Sequence, residues 1–496
     1  MNRRTLLSGA ATAALYGLAG CVDGTPEESN STADEPAADE PTTPDGEFWQ
    51  SVDDLPTVQE PTVVEFETAS LTAAVVGPEQ GTDDGFSVRM DFRSGASADA
   101  PATLVATVAN TKPFEQPLEL RRLGVLDEPS IARTSERDTL FVVPTEDHPL
   151  AERTPEYERD DDGRWRVSDL QDDWYPGTIT VDGETGFVAE YYLLGTHLLD
   201  EPPIGPGRYR FGRDDSLAIV AWSTDEPGPD ETSELADRDP PGLPGERETL
   251  WYHEATPETE TFLRPDAETV RPPEYISFDL VNHSRRSIQG NPFDWRLYKL
   301  VAGEWIPVAP WETPIPAAVV GPGDRSESEL AVFHQAPTAS DRDRRADEVR
   351  TVGYLGGGLY AYTVGFETDD HQYAALIEVD APDLHVDIGS DAEIVEEGST
   401  TVVELPNHAE ASRPATFTVT AGSDDDPDRE IIPEQLPRRP FRGLRNALPL
   451  FEDGVESVQV KTDRGTALQL PDYEEDETVV VRYDETTYSA VGTLDE

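Results

Sequence analysis

Ile276-Ser277-Phe278-Asp279-Leu280-Val281 runs into Asn282-His283-Ser284, and the fold class follows from how this stretch is read. Apolar side chains at every second position, bounded by turn residues, have the period of a strand with one buried face, not the 3.6 of a helix. Outward from there, Phe293, Trp295 and Leu297 alternate toward a hairpin turn at Ala302-Gly303, and Trp305-Ile306-Pro307-Val308 brings the chain back. Val320-Gly321-Pro322-Gly323-Asp324 is a Gly-centred turn, and Gly358-Leu359-Tyr360-Ala361-Tyr362 is a late strand. An earlier segment repeats the order. Phe86-Ser87-Val88-Arg89-Met90-Asp91-Phe92 alternates, Leu104 to Val108 leads into Asn110-Thr111-Lys112-Pro113, Val181-Asp182-Gly183 turns, and Gly207-Arg208-Tyr209-Arg210-Phe211 closes. The chain therefore carries an imperfect internal duplication.

The motifs of the second copy resemble those of bacterial-type immunoglobulin-like domains. They are Asn282-His283-Ser284 at a strand end, the Gly303-Glu304-Trp305 hairpin, the Gly321-Pro322-Gly323-Asp324 turn and the Gly357-Gly358-Leu359-Tyr360 strand. The first copy keeps Asn110-Thr111 and Pro206-Gly207-Arg208-Tyr209, and carries a long acidic insertion from about Pro144 to Gly177. The resemblance implies small β-sandwiches of a kind common in surface proteins. Taken with the strand patterns, the expected fold is mainly β, with tandem immunoglobulin-like β-sandwiches followed by a small α+β C-terminal domain.

Composition shifts place the boundaries. Residues 21–57 are dominated by Thr, Ser, Ala, Pro, Asp and Glu, with no basic residue, and read as a disordered acidic tether extended by self-repulsion. The first sandwich is expected over 58–227, a Pro/Gly-rich linker without periodicity over 228–247, and the second sandwich over 248–382. Ala381-Pro382-Asp383 marks the last break, leaving 383–496 for the C-terminal domain.

Residues 1–20 read as a signal peptide. Arg3 and Arg4 precede a weakly hydrophobic run, Leu6 to Ala19, that is too short to cross a bilayer core, which needs about 20 apolar residues. The paired arginines resemble a twin-arginine export signal, and Leu18-Ala19-Gly20-Cys21 resembles the lipobox of exported lipoproteins. That resemblance implies lipid attachment at Cys21, the single cysteine, and a place on the extracellular face of the cell membrane.

Charge sets the second boundary on function. With 38 basic and 101 acidic residues the formal net charge is −63, and only Lys112, Lys299 and Lys461 are lysine. Such a chain repels itself in dilute buffer, but at about 1 M salt the Debye length falls to about 3 Å and most of the repulsion is screened. The pattern resembles the proteins of extreme halophiles and, with the signal, points to a haloarchaeal surface. The same charge disfavours nucleic acid as a partner.

No catalytic motif stands out, and no cofactor is expected. Neither a Gly-x-Ser-x-Gly elbow, a His-Glu-x-x-His pair, a phosphate-loop Gly-Lys-Ser/Thr nor a cysteine pair occurs. No metal site is expected either, because Asp160-Asp161-Asp162-Gly163 and Asp424-Asp425-Asp426-Pro427-Asp428 lack EF-hand spacing and Asp369-Asp370-His371 suits a hairpin tip. Of the aromatic residues that could form a ligand platform, Trp295 and Trp305 fall in strand patterns, and Trp311 follows them. Trp165 and Trp174, in the acidic insertion, are expected to be the exposed pair.

One basic run interrupts the acid. In Pro437 to Leu448, residues Phe441, Leu444 and Leu448 share a helical face, with Arg438, Arg442 and Arg445 on a neighbouring stripe. Those arginines could grip an acidic glycan, a lipid headgroup or a surface-layer protein, or pair with carboxylates of the chain itself. Asn30 and Asn282 lie in glycosylation sequons. The expected function is a non-enzymatic surface lipoprotein whose sandwiches bind an envelope protein or glycan, or another extracellular ligand. The alternative is a proteinase-inhibitor-like module or an unrecognised hydrolase.

Overall fold

The computed structural model describes residues 46–495, apart from 57–60, 78, 83, 121–122, 124–129, 134–137, 170–173, 197–203, 212–216, 312–315, 338–348, 369, 390, 453 and 473. Arg3, Arg4, Cys21, Asn30 and most of the proposed tether lie outside the described residues. The fold is mainly β: two sandwiches and a small C-terminal module with short helices.

The first sandwich contains β1 (Val64–Phe66), β2 (Leu71–Val76), β3 (Phe86–Ser94), β4 (Ala102–Asn110), β5 (Gln116–Glu119), β6 (Ser130–Arg133) and β7 (Asp138–Pro144). It continues with β8 (Glu156–Arg159), β9 (Trp165–Asp169), β10 (Thr178–Val181), β11 (Thr185–Gly195), β12 (Gly207–Phe211) and β13 (Leu217–Ser223). Hydrogen bonding runs without a break through β1-β2-β13-β12-β6-β7-β11-β4-β3, so the β6–β7 pair joins the two faces into one folded-over sheet. The short β5–β10 ladder stands apart from it. Alternation explains the packing: Phe86, Val88, Met90 and Phe92 of β3 all point into the core.

The second sandwich is built from β14 (Glu248–Trp251), β15 (Thr261–Pro265), β16 (Glu274–Asn282), β17 (Ile288–Val301) and β18 (Glu304–Ala309). Then follow β19 (Ala318–Val320), β20 (Arg325–Val332), β21 (Val349–Val352), β22 (Gly358–Glu367) and β23 (His371–Val379). Here the sheets stay separate, as β14-β23-β22-β17-β18 and β15-β16-β20-β21. Ile276, Phe278 and Leu280 of β16 are fully buried while Ser277 and Asp279 face outward, as their period requires. Between the sheets Phe278 stacks on Tyr362 with centroids 4.0 Å apart, a contact worth about 1 kcal/mol beyond area burial.

The C-terminal module comprises β24 (Glu393–Glu397), β25 (Thr400–Glu404), α1 (Pro406–Glu410), β26 (Pro414–Ala421), β27 (Arg429–Glu430) and α2 (Arg442–Ala447). It ends with β28 (Ser457–Asp463), α3 (Arg464–Leu468), β29 (Thr478–Tyr483) and β30 (Thr486–Leu494). Its sheet has the order β24-β25-β28-β26-β30-β29-β27, with parallel pairing only at β25–β28 and β27–β29. Asp463 caps α3 by accepting the Thr466 amide at 3.1 Å. As the periodicity predicts, Phe441, Leu444 and Leu448 are buried against this sheet. Gly443 lets α2 approach, because a Cβ there would lie 2.5 Å from the Phe417 ring.

Residues 228–247, expected as a Pro/Gly-rich linker, are packed against the second sandwich. The segment lacks strands, yet Leu235 and Leu243 are each 6% exposed and pack with Trp251, Trp305 and Leu376 on the outer face of the second sandwich. Trp305 Nε1 donates to Pro241 O at 2.7 Å, Glu268 accepts from Ser233 Oγ and the Glu234 amide, and Arg238 pairs with Glu378. Two leucines eight residues apart among prolines have no period, so the sequence pattern could not show this docking.

The two sandwiches meet around Trp222, which stacks on His283 with centroids 5.3 Å apart and rings 2° from parallel. Gly323, at φ +70°, permits the approach, since a Cβ there would sit 2.7 Å from the Trp222 ring. Arg285–Glu65 and Arg208–Asp324 ion pairs flank the contact.

Candidate functional site

Residues 431–441 join the second sandwich to the C-terminal module. Ile432 enters the core of the sandwich, while Ile431, Leu436 and Phe441 enter that of the C-terminal module. Between these apolar anchors sits Glu434, 1% exposed. Its Oε1 accepts from Lys299 Nζ at 2.5 Å, the Gly356 amide at 3.1 Å and the Tyr360 hydroxyl at 3.3 Å. Oε2 is buried without a hydrogen-bond partner among the described residues. Such a carboxylate persists only because a cation and two donors offset its desolvation. Burial first, and then the Glu434 carboxylate, push the Tyr360 hydroxyl well above the usual phenol range, so it remains a donor.

The arginine stripe divides. Arg438 turns inward, donating to Glu434 O at 3.1 Å and to Gly353 O at 2.6 Å. Burial lowers its guanidinium to about 10, opposed by Tyr360 and Glu434, so it stays charged at neutral pH. Arg445 donates to Asp387 O at 3.1 Å and lies over the Tyr354 ring. Both therefore have intramolecular partners, chiefly backbone carbonyls and not the carboxylates that the acid excess leads one to expect. Arg442 is exposed.

A cleft of about 420 Å³ opens beside this junction, lined by Trp311 from the second sandwich and by Arg429, Arg439, Pro440, Leu470 and Asp472 from the C-terminal module. Trp311 is 39% exposed, and Phe441 meets it edge-on from the protein side at 5.0 Å. Arg429 and Arg439 are both exposed. The volume falls within the range of small-molecule sites, about 300–1,000 Å³.

The other sites singled out in the sequence are placed elsewhere. Trp174 is 1% exposed in the first core, which overturns its expected exposure. The insertion folds back on the sandwich and buries it. Trp165 is half-buried, with Nε1 donating to Ser97 O at 2.9 Å and Tyr157 edge-on to its ring, so the two tryptophans form no exposed pair. Asn282 is fully buried, its amide donating to Arg286 O, Val320 O and Gly321 O at 2.8–3.0 Å. A glycan on that nitrogen is incompatible with the folded sandwich. Asp160 caps the β8–β9 hairpin, accepting the Arg164 amide and Arg166 Nε. Asp428 accepts the Val480 amide, and Asp369 lies outside the described residues. Among the described residues no group of three or more His, Cys, Asp or Glu side chains converges.

Glu434, Lys299, Arg429 and Arg439 were not singled out by the sequence reading. One signal was available: lysine is so rare here that Lys299 within a strand marks a special environment.

No family model and no curated protein matches the chain. Among solved structures, an alkylpurine DNA glycosylase from Pseudomonas fluorescens bound to DNA containing an abasic site analog aligns at 12% identity and a TM-score of 0.16, covering 25% of this chain and 31% of that one. The native conformation of E. coli alpha-2-macroglobulin aligns at 8% identity and a TM-score of 0.13, covering 86% of this chain and 25% of that one. The chain thus spans under a third of either neighbour, and scores this low carry no argument about function.

Proposed function

We propose that the protein is an exported surface lipoprotein, held to the membrane through Cys21, that binds an envelope component or extracellular ligand without catalysing a reaction. The observation that carries the binding reading is the cleft beside Trp311. It combines an exposed aromatic face with two arginines in a chain of formal charge −63. Its two walls belong to different modules, and the Glu434 cluster fixes the junction between them. The acid excess favours work in concentrated salt, where a carboxylate shell is screened. Anchorage rests on the Leu18-Ala19-Gly20-Cys21 sequence.

Expression in a halophilic host tests both parts. Cys21→Ser is expected to leave export intact and release the protein from the membrane fraction, with equal retention counting against the lipid anchor. Crosslinked pulldown from native envelopes at about 1 M salt is expected to recover a partner with the native protein and lose it with Trp311→Ala. Recovery unchanged by Trp311→Ala would remove the cleft from the binding surface.

A further inference from the structure

We propose that the cleft beside Trp311 binds an acidic sugar, a pyranose ring bearing a carboxylate, with its ring on the indole and its carboxylate on Arg429 and Arg439. This rests on the surface-binding reading above and names the ligand class.

The indole supplies an apolar face. Trp311 is 39% exposed, and Phe441 holds it from behind, so ring orientation is preset before a ligand arrives. A sugar's axial C–H face is flat and weakly apolar, which suits such a surface.

The arginines supply the sign. In a chain of formal charge −63, the guanidinium groups of Arg93, Arg166, Arg238, Arg264 and Arg271 each meet a carboxylate. Arg429, exposed on edge strand β27, forms no ion pair and no side-chain hydrogen bond among the described residues. Arg439 reaches the same cleft from a different element, the segment preceding α2. Asp472 is the one acidic residue among the lining side chains. Two guanidinium groups lining one cleft from separate elements suit a carboxylate, which accepts paired N–H donors.

Salt decides between a small acid and a polyanion. At about 1 M salt the Debye length is about 3 Å, so long-range attraction is lost and only contact hydrogen bonding and stacking remain. A nucleic acid gains affinity through many phosphate contacts, each weakened by salt. A short sugar acid needs only the contacts this cleft holds.

Titration calorimetry on the full-length protein at about 1 M NaCl, with a galacturonic acid trimer and its neutral galactose counterpart as probes, provides the test. Binding of the acidic trimer is expected, with the neutral one at least about tenfold weaker, which is about 1.4 kcal/mol. Trp311→Ala and Arg429→Gln are each expected to weaken the acidic trimer about tenfold with unchanged circular dichroism. Arg429 is exposed at a sheet edge, so its variant tests the cleft even if Trp311→Ala loosens the junction. Absence of binding, equal affinity for the neutral trimer or for sulfate alone, or indifference to both variants overturns the proposal. Tighter binding of a single-stranded oligonucleotide also overturns it and assigns the cleft to nucleic acid. Should the trimer fail while Trp311→Ala still abolishes envelope capture, only the ligand class is wrong. Loss of trimer binding together with capture that ignores Trp311→Ala defeats the surface-binding role of the cleft as well.

Discussion

The two sandwiches close the same corner in different ways. In the first, the Tyr209 hydroxyl donates to Gly205 O at 3.0 Å and accepts the Gly205 amide at 2.8 Å, so both backbone groups of Gly205 are met by a tyrosine four residues on. In the second, the Tyr360 hydroxyl again donates to the carbonyl four residues back, Gly356 O at 2.8 Å, but the Gly356 amide is taken by Glu434. One backbone donor has passed from the tyrosine to a carboxylate of the next module. The corner amide that the tyrosine holds in the first sandwich is held by the next module in the second. A specific neighbour needs little at such a corner: a single loop N–H is left for an outside acceptor, and a lysine on the adjacent strand supplies the countercharge.

The largest effect should come from removing that acceptor. Glu434→Ala leaves Lys299 and the Gly356 amide without their shared partner, while the Tyr360 hydroxyl keeps Gly356 O, and should cost about 3–5 kcal/mol, the usual range for breaking a buried pair. Chemical denaturation should then show the C-terminal module melting ahead of the sandwiches. A single unshifted transition would show that the Glu434 cluster does not couple the modules.

Next in size is the twin asparagine turn. Asn110 donates through Nδ2 to Phe114 O, Val181 O and Asp182 O, while its Oδ1 takes the Lys112 amide. Asn282 repeats the set with Arg286, Val320, Gly321 and the Ser284 amide. Substituting alanine should cost about 3 kcal/mol at either position, because several backbone groups lose their partner at once. Unequal losses by thermal melting would mean that the second turn draws support from its neighbours.

A pH difference of intermediate size belongs to the first sandwich. His148 is buried, with Nε2 against the Tyr191 hydroxyl and Nδ1 accepting the Leu150 amide, and burial lowers its pKa to about 3. The unfolded chain titrates near 6.5, so stability is complete above that pH and falls as pH drops from 6.5 toward 3. At about pH 5 the loss should be about 2 kcal/mol. Since protonated carboxylates relieve repulsion over part of this window, the measurement is the slope of stability against pH relative to His148→Gln. Parallel slopes would refute the assignment.

The smallest effect is expected at the other junction. Arg285 and Glu65 are both more than half exposed, so Arg285→Ala should cost under about 1 kcal/mol in dilute buffer and nothing measurable at about 1 M salt. A loss as large as that of Glu434→Ala would erase the distinction between the two junctions.

Much of this architecture was legible in the chain. Period-two runs such as residues 276–281 fixed the β class, because alternation maps one strand face to the core whatever the neighbours are. The paired Asn turns and Gly-x-Tyr strands marked matching corners in both sandwiches, since those residues satisfy local backbone groups. The C-terminal helix was legible from the shared face of Phe441, Leu444 and Leu448. Tertiary structure alone decided the docking of Leu235 and Leu243, the burial of Trp174 and the partners of Glu434. Each depends on surfaces contributed from distant parts of the sequence. Local periodicity records which way a side chain points along its own element, but an isolated leucine, tryptophan or glutamate acquires its environment only when another element closes over it.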